Sequence, residues 1–224
     1  MDVPTIMASA PHLTVAILCG GLGIRLGTLT RDVPKPMIDV GRPFLEHVLQ
    51  SFTARGLTDL VLLTGFHGEQ IEAHFGDGAA FGAHIAYSRE EQPIGTGGAV
   101  QQARALLGDR FLLTYGDVLR RFDYDRFVNA HEACLAVYEG AGNTAVANGH
   151  VTRYAKDARL PYVDAGFCVV PSTVVDFLAP TGSFEEIVFP RLAAAGQFEA
   201  EIVNHDFVEI GTPEALRHAR TVLS

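Results

Sequence analysis

Lysine is nearly absent: the 224-residue chain has two, Lys35 and Lys156, against fifteen arginines. A genome that favours arginine accounts for the scarcity but not for the two exceptions, so each is a candidate for chemistry. Cysteine is also sparse, with only Cys19, Cys134 and Cys168. An odd set without C-x-x-C spacing argues against a disulfide framework and against a zinc site. Cys19 and Cys168 sit in apolar runs and read as buried free thiols, from which a reducing cytoplasm follows. No apolar run approaches the ~18 residues that span a membrane, so no membrane partner is expected. Residues 1–12 lack a basic start and an apolar centre and read as a loose tail rather than a signal peptide. Charged residues make up only 19%, with a net charge of −9. Such a surface does not attract nucleic acid, and an anionic substrate must meet a local concentration of positive charge.

What is present is a chain apolar enough to fold, at 48% hydrophobic residues, and long enough for one sizeable core. Short apolar runs at 13–19, 59–64 and 110–115 read as buried strands. Helical periodicity at 44–54, 68–75 and 96–107 separates them, with a further strand at 85–88. Strands alternating with helices imply a mostly parallel sheet covered on both faces, a Rossmann-like α/β arrangement. The second half changes character. Short strands are expected at 134–138, 144–146, 150–154 and 162–170, with Asn148-Gly149 as a hairpin turn. A helix follows at 183–195, opened by the capping box Ser183-Phe184-Glu185-Glu186. Residues 200–204 and 207–210 read as a strand pair, and a last helix begins near Thr212-Pro213-Glu214. The expectation is one domain over 13–224: a parallel nucleotide-binding half and a mixed antiparallel half that completes the pocket.

Five segments carry the chemistry. Gly20-Gly21-Leu22-Gly23-Ile24-Arg25-Leu26 follows a buried strand, and Pro34-Lys35-Pro36 comes seven residues later. Glycines there let backbone approach phosphates, and the Arg and Lys would neutralise a polyphosphate. The spacing is neither a P-loop nor G-x-G-x-x-G, and no helix starts where a dinucleotide fold needs one. The second segment is Glu90-Glu91-Gln92-Pro93-Ile94-Gly95-Thr96-Gly97-Gly98-Ala99, the third Tyr115-Gly116-Asp117 at a strand end. The fourth is Val208-Glu209-Ile210-Gly211, and the fifth joins Tyr154-Ala155-Lys156 to Val163-Asp164-Ala165-Gly166. Taken singly, each has a plainer alternative: a turn for the glycines, a surface charge for Glu90, a helix N-cap for Asp117. The nine histidines form no H-x-x-x-H pair, and Arg120-Arg121 reads as a solvated basic face.

Strand, G-G-x-G-x-R-L, short gap and P-K-P in combination resemble the sugar-1-phosphate nucleotidyltransferase family. ILCGGLGIRL, DVPKPM and RPFLEHVL are most similar to its short bacterial members that handle mannose- or heptose-type 1-phosphates. The resemblance runs from about Leu13 to the C-terminus. It implies an NTP and a sugar 1-phosphate as partners, Mg²⁺ as cofactor, and often a homodimer. By that resemblance Gly20, Gly21 and Gly23 wrap the triphosphate, Arg25 grips it, and Lys35 bridges the reacting phosphates. Glu90 reads the base edge, and Gly95 and Thr96 lie along the nucleotide. A carboxylate at 90 accepts paired hydrogen bonds from guanine N1–H and N2–H₂, which favours GTP. Asp117 is the implied metal ligand, joined by Glu209 where most members carry Asp. Lys156 would contact the sugar phosphate and Asp164 the sugar hydroxyls. Ala155 departs from the usual Glu and leaves the sugar open. A cytidylyl- or uridylyltransferase, a thymidylyl transfer to another phosphate, and a catalytically silent nucleotide-binding homologue are the alternatives.

Overall fold

The computed structural model describes residues 13–21 and 23–223, with the Ile24 side chain excepted. The tail at 1–12 and Leu22 of the glycine loop lie outside the described residues.

The strands are β1 (Thr14–Leu18), β2 (Asp59–Thr64), β3 (His84–Arg89), β4 (Arg110–Tyr115), β5 (Val118–Arg120), β6 (Ala133–Gly142), β7 (Thr144–Ala147), β8 (His150–Tyr154), β9 (Leu160–Pro171), β10 (Phe198–Ile202) and β11 (Phe207–Glu209). The helices are α1 (Phe44–Thr53), α2 (Gly68–Phe75), α3 (Gly95–Gln102), α4 (Asp125–Val128), α5 (Phe184–Ala195) and α6 (Pro213–Leu223). Among the described residues, nine strands form one sheet in the order β3-β2-β1-β4-β9-β6-β10-β8-β7, and β11 pairs with β5 in a separate ribbon.

Strands β3, β2, β1 and β4 are mutually parallel. Both faces of β1 are covered, which is why its sequence is a continuous apolar run rather than an alternation. Val15 and Ile17 face one core with α1, while Ala16 faces the other with Val100 of α3 and Phe184 of α5. Helix α1 buries Phe44, Leu45, Val48, Leu49 and Phe52 almost completely. Each contributes roughly 1.5–3 kcal/mol by leaving water. Phe52 continues into an aromatic cluster with Tyr124 at 5.4 Å and Phe167 at 6.4 Å between ring centroids. Across β4 the sheet turns antiparallel through β9 and β6, as expected of a mixed second half.

The strand order reverses at β1. The chain steps outward through β2 and β3, then returns to place β4 on the other side of β1. Loops diverge there, and ligands of open α/β sheets bind beyond the carboxyl ends at such a point.

Two expectations need correction. The strands near 200 and 207 are not partners: β10 lies between β6 and β8, and β11 pairs with β5. The helix expected to reach 107 ends at Gln102 and tightens into a 3-10 turn over Arg104–Leu106, a common way for a short helix to finish. Short β5 and α4 escaped the periodicity argument altogether.

Candidate active site

The four parallel strands deliver four loops to one cleft. Gly20 and Gly21 follow β1, Gly65, Phe66 and His67 follow β2, Glu90 follows β3, and Asp117 follows β4. Together with Gly23, Arg25 and Lys35 they line a cavity of about 1270 Å³. Gly21 and Gly23 have φ of 118° and 58°. A Cβ on Gly23 would lie 2.7 Å from Thr30 Cγ2, and the Thr30 hydroxyl donates to the Gly23 carbonyl at 3.0 Å. The loop therefore needs glycine for its turn and for this packing. The Gly20 N–H, expected to face phosphate, instead donates to the Leu63 carbonyl of β2 at 3.0 Å.

Lys35 sits in a 3-10 turn, Lys35–Met37, and its ammonium is paired with the Asp117 carboxylate. Their side chains are only 13% and 28% exposed, so the pair is shielded from the screening that weakens surface ion pairs. Gly116 is needed behind it: a Cβ there would lie 2.9 Å from Cys19 Sγ. Burial, with Asp117 next, pushes the Cys19 thiol far up, so it is an inert core group. Glu209 enters by the β5–β11 ribbon, in register with Val118 and so beside Asp117. A Cβ on Gly211 would lie 3.1 Å from the Glu209 carboxylate and 3.7 Å from Lys35 Nζ, which marks Lys35, Asp117 and Glu209 as one charged cluster. Arg25 is exposed at the cavity wall.

Glu90 is half-buried, and burial raises its carboxyl above the ordinary range. One oxygen accepts the Ile94 N–H at 3.3 Å, and the other packs over the backbone of Gly20 and Gly65.

A second cavity of about 540 Å³ meets the first at Asp117, which lines both. Lys156, Asp164, Gly95 and Thr96 border it, joined by Tyr115, Arg120, Asn143 and Glu185. Gly95 and Thr96, which the resemblance lays along the nucleotide, wall the second cavity rather than the first. Thr96 is already committed. Its hydroxyl accepts the Phe184 N–H at 2.8 Å and donates to Glu185 at 2.8 Å. Gly95, at φ 79°, lets the chain approach Gly182 so closely that a Cβ would lie 2.4 Å from its carbonyl oxygen. A Cβ on Gly98 would lie 2.5 Å from the Pro180 carbonyl oxygen. Glycines between 95 and 98 thus form a seam that joins the starts of α3 and α5.

Lys156 is 60% exposed and bonds Glu186 at 3.1 Å. Asp164 accepts the Gly166 N–H at 2.7 Å, while its own N–H donates to the Asn143 side chain at 3.0 Å. Glu185 collects three hydroxyls, from Tyr115 at 2.5 Å, Ser183 at 2.7 Å and Thr96. The Ser183 hydroxyl also accepts the Glu186 N–H at 3.2 Å and so caps α5, as the capping box requires. Burial and Glu185 together hold the Tyr115 phenol far above its ordinary range.

Two groups of residues were missed. Phe66 and His67 occupy the carboxyl end of β2, and the strand-end rule applied to every parallel strand would have found them. Arg120 was expected on a solvated face, yet it is 8% exposed and lines the second cavity, while Arg121 is exposed. Period-two alternation from Val118 would have put Arg120 on the cavity side.

Comparison with known proteins decides the family. A model described as nucleotidyl transferase matches residues 14–154. The chain belongs to the nucleotidyl transferase family. A mannose-1-phosphate guanylyltransferase of Mycobacterium tuberculosis is 33% identical over 91% of this chain, which spans only 62% of that relative's length. A D-glycero-α-D-manno-heptose 1-phosphate guanylyltransferase of Campylobacter jejuni is 29% identical over 90% of this chain and 96% of its own length. The solved structure of HddC from Yersinia pseudotuberculosis complexed with GMP-PN superposes with a TM-score of 0.79 at 25% identity, covering 95% of this chain and 100% of that one. The Rossmann-like α/β fold with a mixed antiparallel half, expected from the sequence, is thereby shown to be of the nucleotide-diphospho-sugar transferase type. Among the described residues, no helix is long and apolar enough to cross a membrane.

Within this family site, Asp164 makes a test of electrostatics. Its carboxyl lies deep in the cavity wall, and burial raises its pKa to about 6 against the counter-effect of the Gly166 N–H. An unfolded Asp titrates near ~3.9. Between these values the unfolded chain holds fewer protons than the folded one, so this group makes stability fall as pH rises. Asp164→Asn keeps the acceptor for Gly166 and removes the buried charge. The variant is expected to unfold later in urea at pH 8, by about 1–2 kcal/mol once the cavity opening is allowed for, with the gain fading as pH falls towards ~4. Equal stabilities at pH 8 would contradict the assignment.

Proposed function

We propose that this chain transfers a nucleoside monophosphate from an NTP, GTP in preference, to a sugar 1-phosphate of the mannose or heptose type. The products are a nucleoside-diphosphate sugar and pyrophosphate. One observation carries the reading: two cavities of unequal size meet at Asp117, with Lys35 paired to it at the switch point of the sheet. The larger suits a nucleoside triphosphate and the smaller a sugar. The guanylyltransferase relatives and the GMP-PN complex of HddC support this assignment of contents.

The nucleophile is a phosphate oxygen of the sugar 1-phosphate, already anionic, so the reaction requires no general base. It attacks the α-phosphorus; the new O–Pα bond forms as the bond to the β-phosphate oxygen breaks, and pyrophosphate leaves with that electron pair. What the protein supplies is alignment and charge. Arg25 and Lys35 present positive charge to the triphosphate, and Lys35 reaches the cluster where both phosphates converge. Glu90 offers an acceptor to the guanine N1–H and N2–H₂.

The donor set also fits Mg²⁺. Asp117, in the turn just before β5, and Glu209, on the β11 strand paired with β5, are hard oxygen ligands, and Mg²⁺ commonly takes one or two carboxylates and fills its shell with phosphate oxygens and water. Among the described residues no third His, Cys, Asp or Glu closes the site, which leaves the remaining positions to substrate. Bound there, the ion would neutralise phosphate charge. The proposed reaction is a cytoplasmic one, a reading that the three buried free cysteines support.

The test is a matrix of four NTPs against mannose-, heptose-, glucose- and N-acetylhexosamine-1-phosphates, read by pyrophosphate release. The expected result is the highest kcat/KM for GTP with a manno-configured sugar, and at least ~10²-fold discrimination against ATP from the hydrogen bonds to the base. Release with no pair overturns the proposal. A CTP or UTP optimum would move the reading to another base.

A further inference from the structure

Arg120 is charged and enclosed, and among the described residues its side chain has no hydrogen-bond or ion-pair partner. Its Nε is wholly buried and unbonded. Asp164 and Asp117 favour its charge from a distance, against burial. The guanidinium lies 5.2 Å over the Phe207 ring, its cross-strand neighbour. Its Nη2 lies over Gly166: a Cβ there would stand 2.8 Å from that nitrogen and 3.0 Å from the Tyr115 ring. Gly166, at φ 64°, therefore opens a slot that a side chain would close. Gly166 and Tyr115 both line the second cavity, so the guanidinium is aimed into it. The backbone of Arg120 faces the other way, where its carbonyl accepts the Tyr124 hydroxyl at 3.0 Å.

A guanidinium has five donors in a planar fork, and its preferred partners are carboxylate and phosphate. This chain keeps one in the cavity assigned above to the sugar 1-phosphate, on the strand that starts one residue after Asp117. Lys156, to which the sequence resemblance gave the sugar phosphate, is instead largely solvated and held by Glu186.

We propose that Arg120 is the phosphate-positioning residue of the second cavity: its guanidinium receives the 1-phosphate of the sugar and sets it facing the first cavity. The proposal rests on the functional reading above, and the two can fail separately. Asp164 would hold sugar hydroxyls on the other side of Gly166, so that one ligand spans both groups.

The test is calorimetric binding, which needs no turnover, of α-D-mannose 1-phosphate, free mannose and GTP to wild type, Arg120→Gln and Arg120→Lys. Loss of a charge-assisted contact is expected to weaken mannose 1-phosphate about 10- to 100-fold in Arg120→Gln. GTP affinity stays within about twofold, because the first cavity is untouched. Arg120→Lys, which keeps the charge and loses the fork, recovers only part of the loss. A thermal melt accompanies each variant. If Arg120→Gln does not fold, Arg120→Lys carries the test, and an affinity for mannose 1-phosphate equal to wild type in either folded variant overturns the proposal. Equal weakening of GTP and mannose 1-phosphate overturns it too, since that is the signature of a merely structural arginine. Wild type that binds GTP but no sugar phosphate of the matrix defeats the functional reading instead.

Discussion

Asp117→Ala is expected to lower turnover by roughly 10³-fold, about 4 kcal/mol of lost transition-state stabilisation, while the protein still folds. Two effects combine. The carboxylate that both cavities share is gone, and Lys35, 13% exposed, loses the partner that fixes its ammonium. Lys35→Ala should cost about the same, since each residue works by holding the other in place. The double variant should then be little worse than either single one, because groups that act as a unit are not additive. Single-turnover pyrophosphate release at saturating substrates measures this. Losses that multiply in the double variant would mean that the two residues act independently.

Gly95→Val is the second large effect, and it acts through the fold. At φ 79° a side chain is strained from the start, and the added Cβ would stand 2.4 Å from the Gly182 carbonyl oxygen. That oxygen cannot simply turn aside, because it accepts the Gly97 N–H at 2.8 Å, while the Gly182 N–H donates to Ile94 at 2.9 Å. The seam must open, at about 3 kcal/mol or more. For a chain of this size the melting temperature falls by roughly 6–12 °C. The wall of the second cavity moves with it, so KM for the sugar phosphate rises more than KM for the nucleotide. Gly196→Ala is the control. Gly196 is also left-handed, at φ 68°, but nothing lies within 4 Å of its added Cβ, and about 1 kcal/mol is expected. Equal destabilisation by the two substitutions would show that backbone strain, not the contact with Gly182, dominates at position 95.

Legibility in the sequence followed distance along the chain. The buried strands and the residues at their carboxyl ends were readable, because an apolar run followed by a glycine or an Asp is a local pattern. Gly20 and Asp117 were named on that basis, Lys35 for the scarcity of lysine and by resemblance, and Glu90 by resemblance, and the structure gathers all four in one cleft. Glu209 was named by resemblance, but the ribbon that delivers it was not foreseen. Three-residue strands carry too little periodicity to announce that β11 would choose β5 over β10. The surroundings of Thr96 were not legible for a related reason. Its hydroxyl partners are 88 and 89 residues away, and nothing in G-T-G-G indicates that α5 will pack there. Arg120 was misread because adjacent arginines suggest a solvated face; the sheet alternates them, one inward and one outward. Close approaches of backbone, such as Gly95 to Gly182, belong to the same class. A sequence shows the glycine but not what it makes room for.

The central claim is nucleotidyl transfer between two cavities that meet at Asp117. Phosphorus NMR of the wild-type reaction with GTP and mannose 1-phosphate tests it most directly. The account predicts that both substrate signals decline together, replaced by pyrophosphate and the paired resonances of a diphosphate-linked sugar nucleotide, with no change when mannose 1-phosphate is left out. Pyrophosphate with free GMP, formed whether or not the sugar phosphate is present, would contradict it.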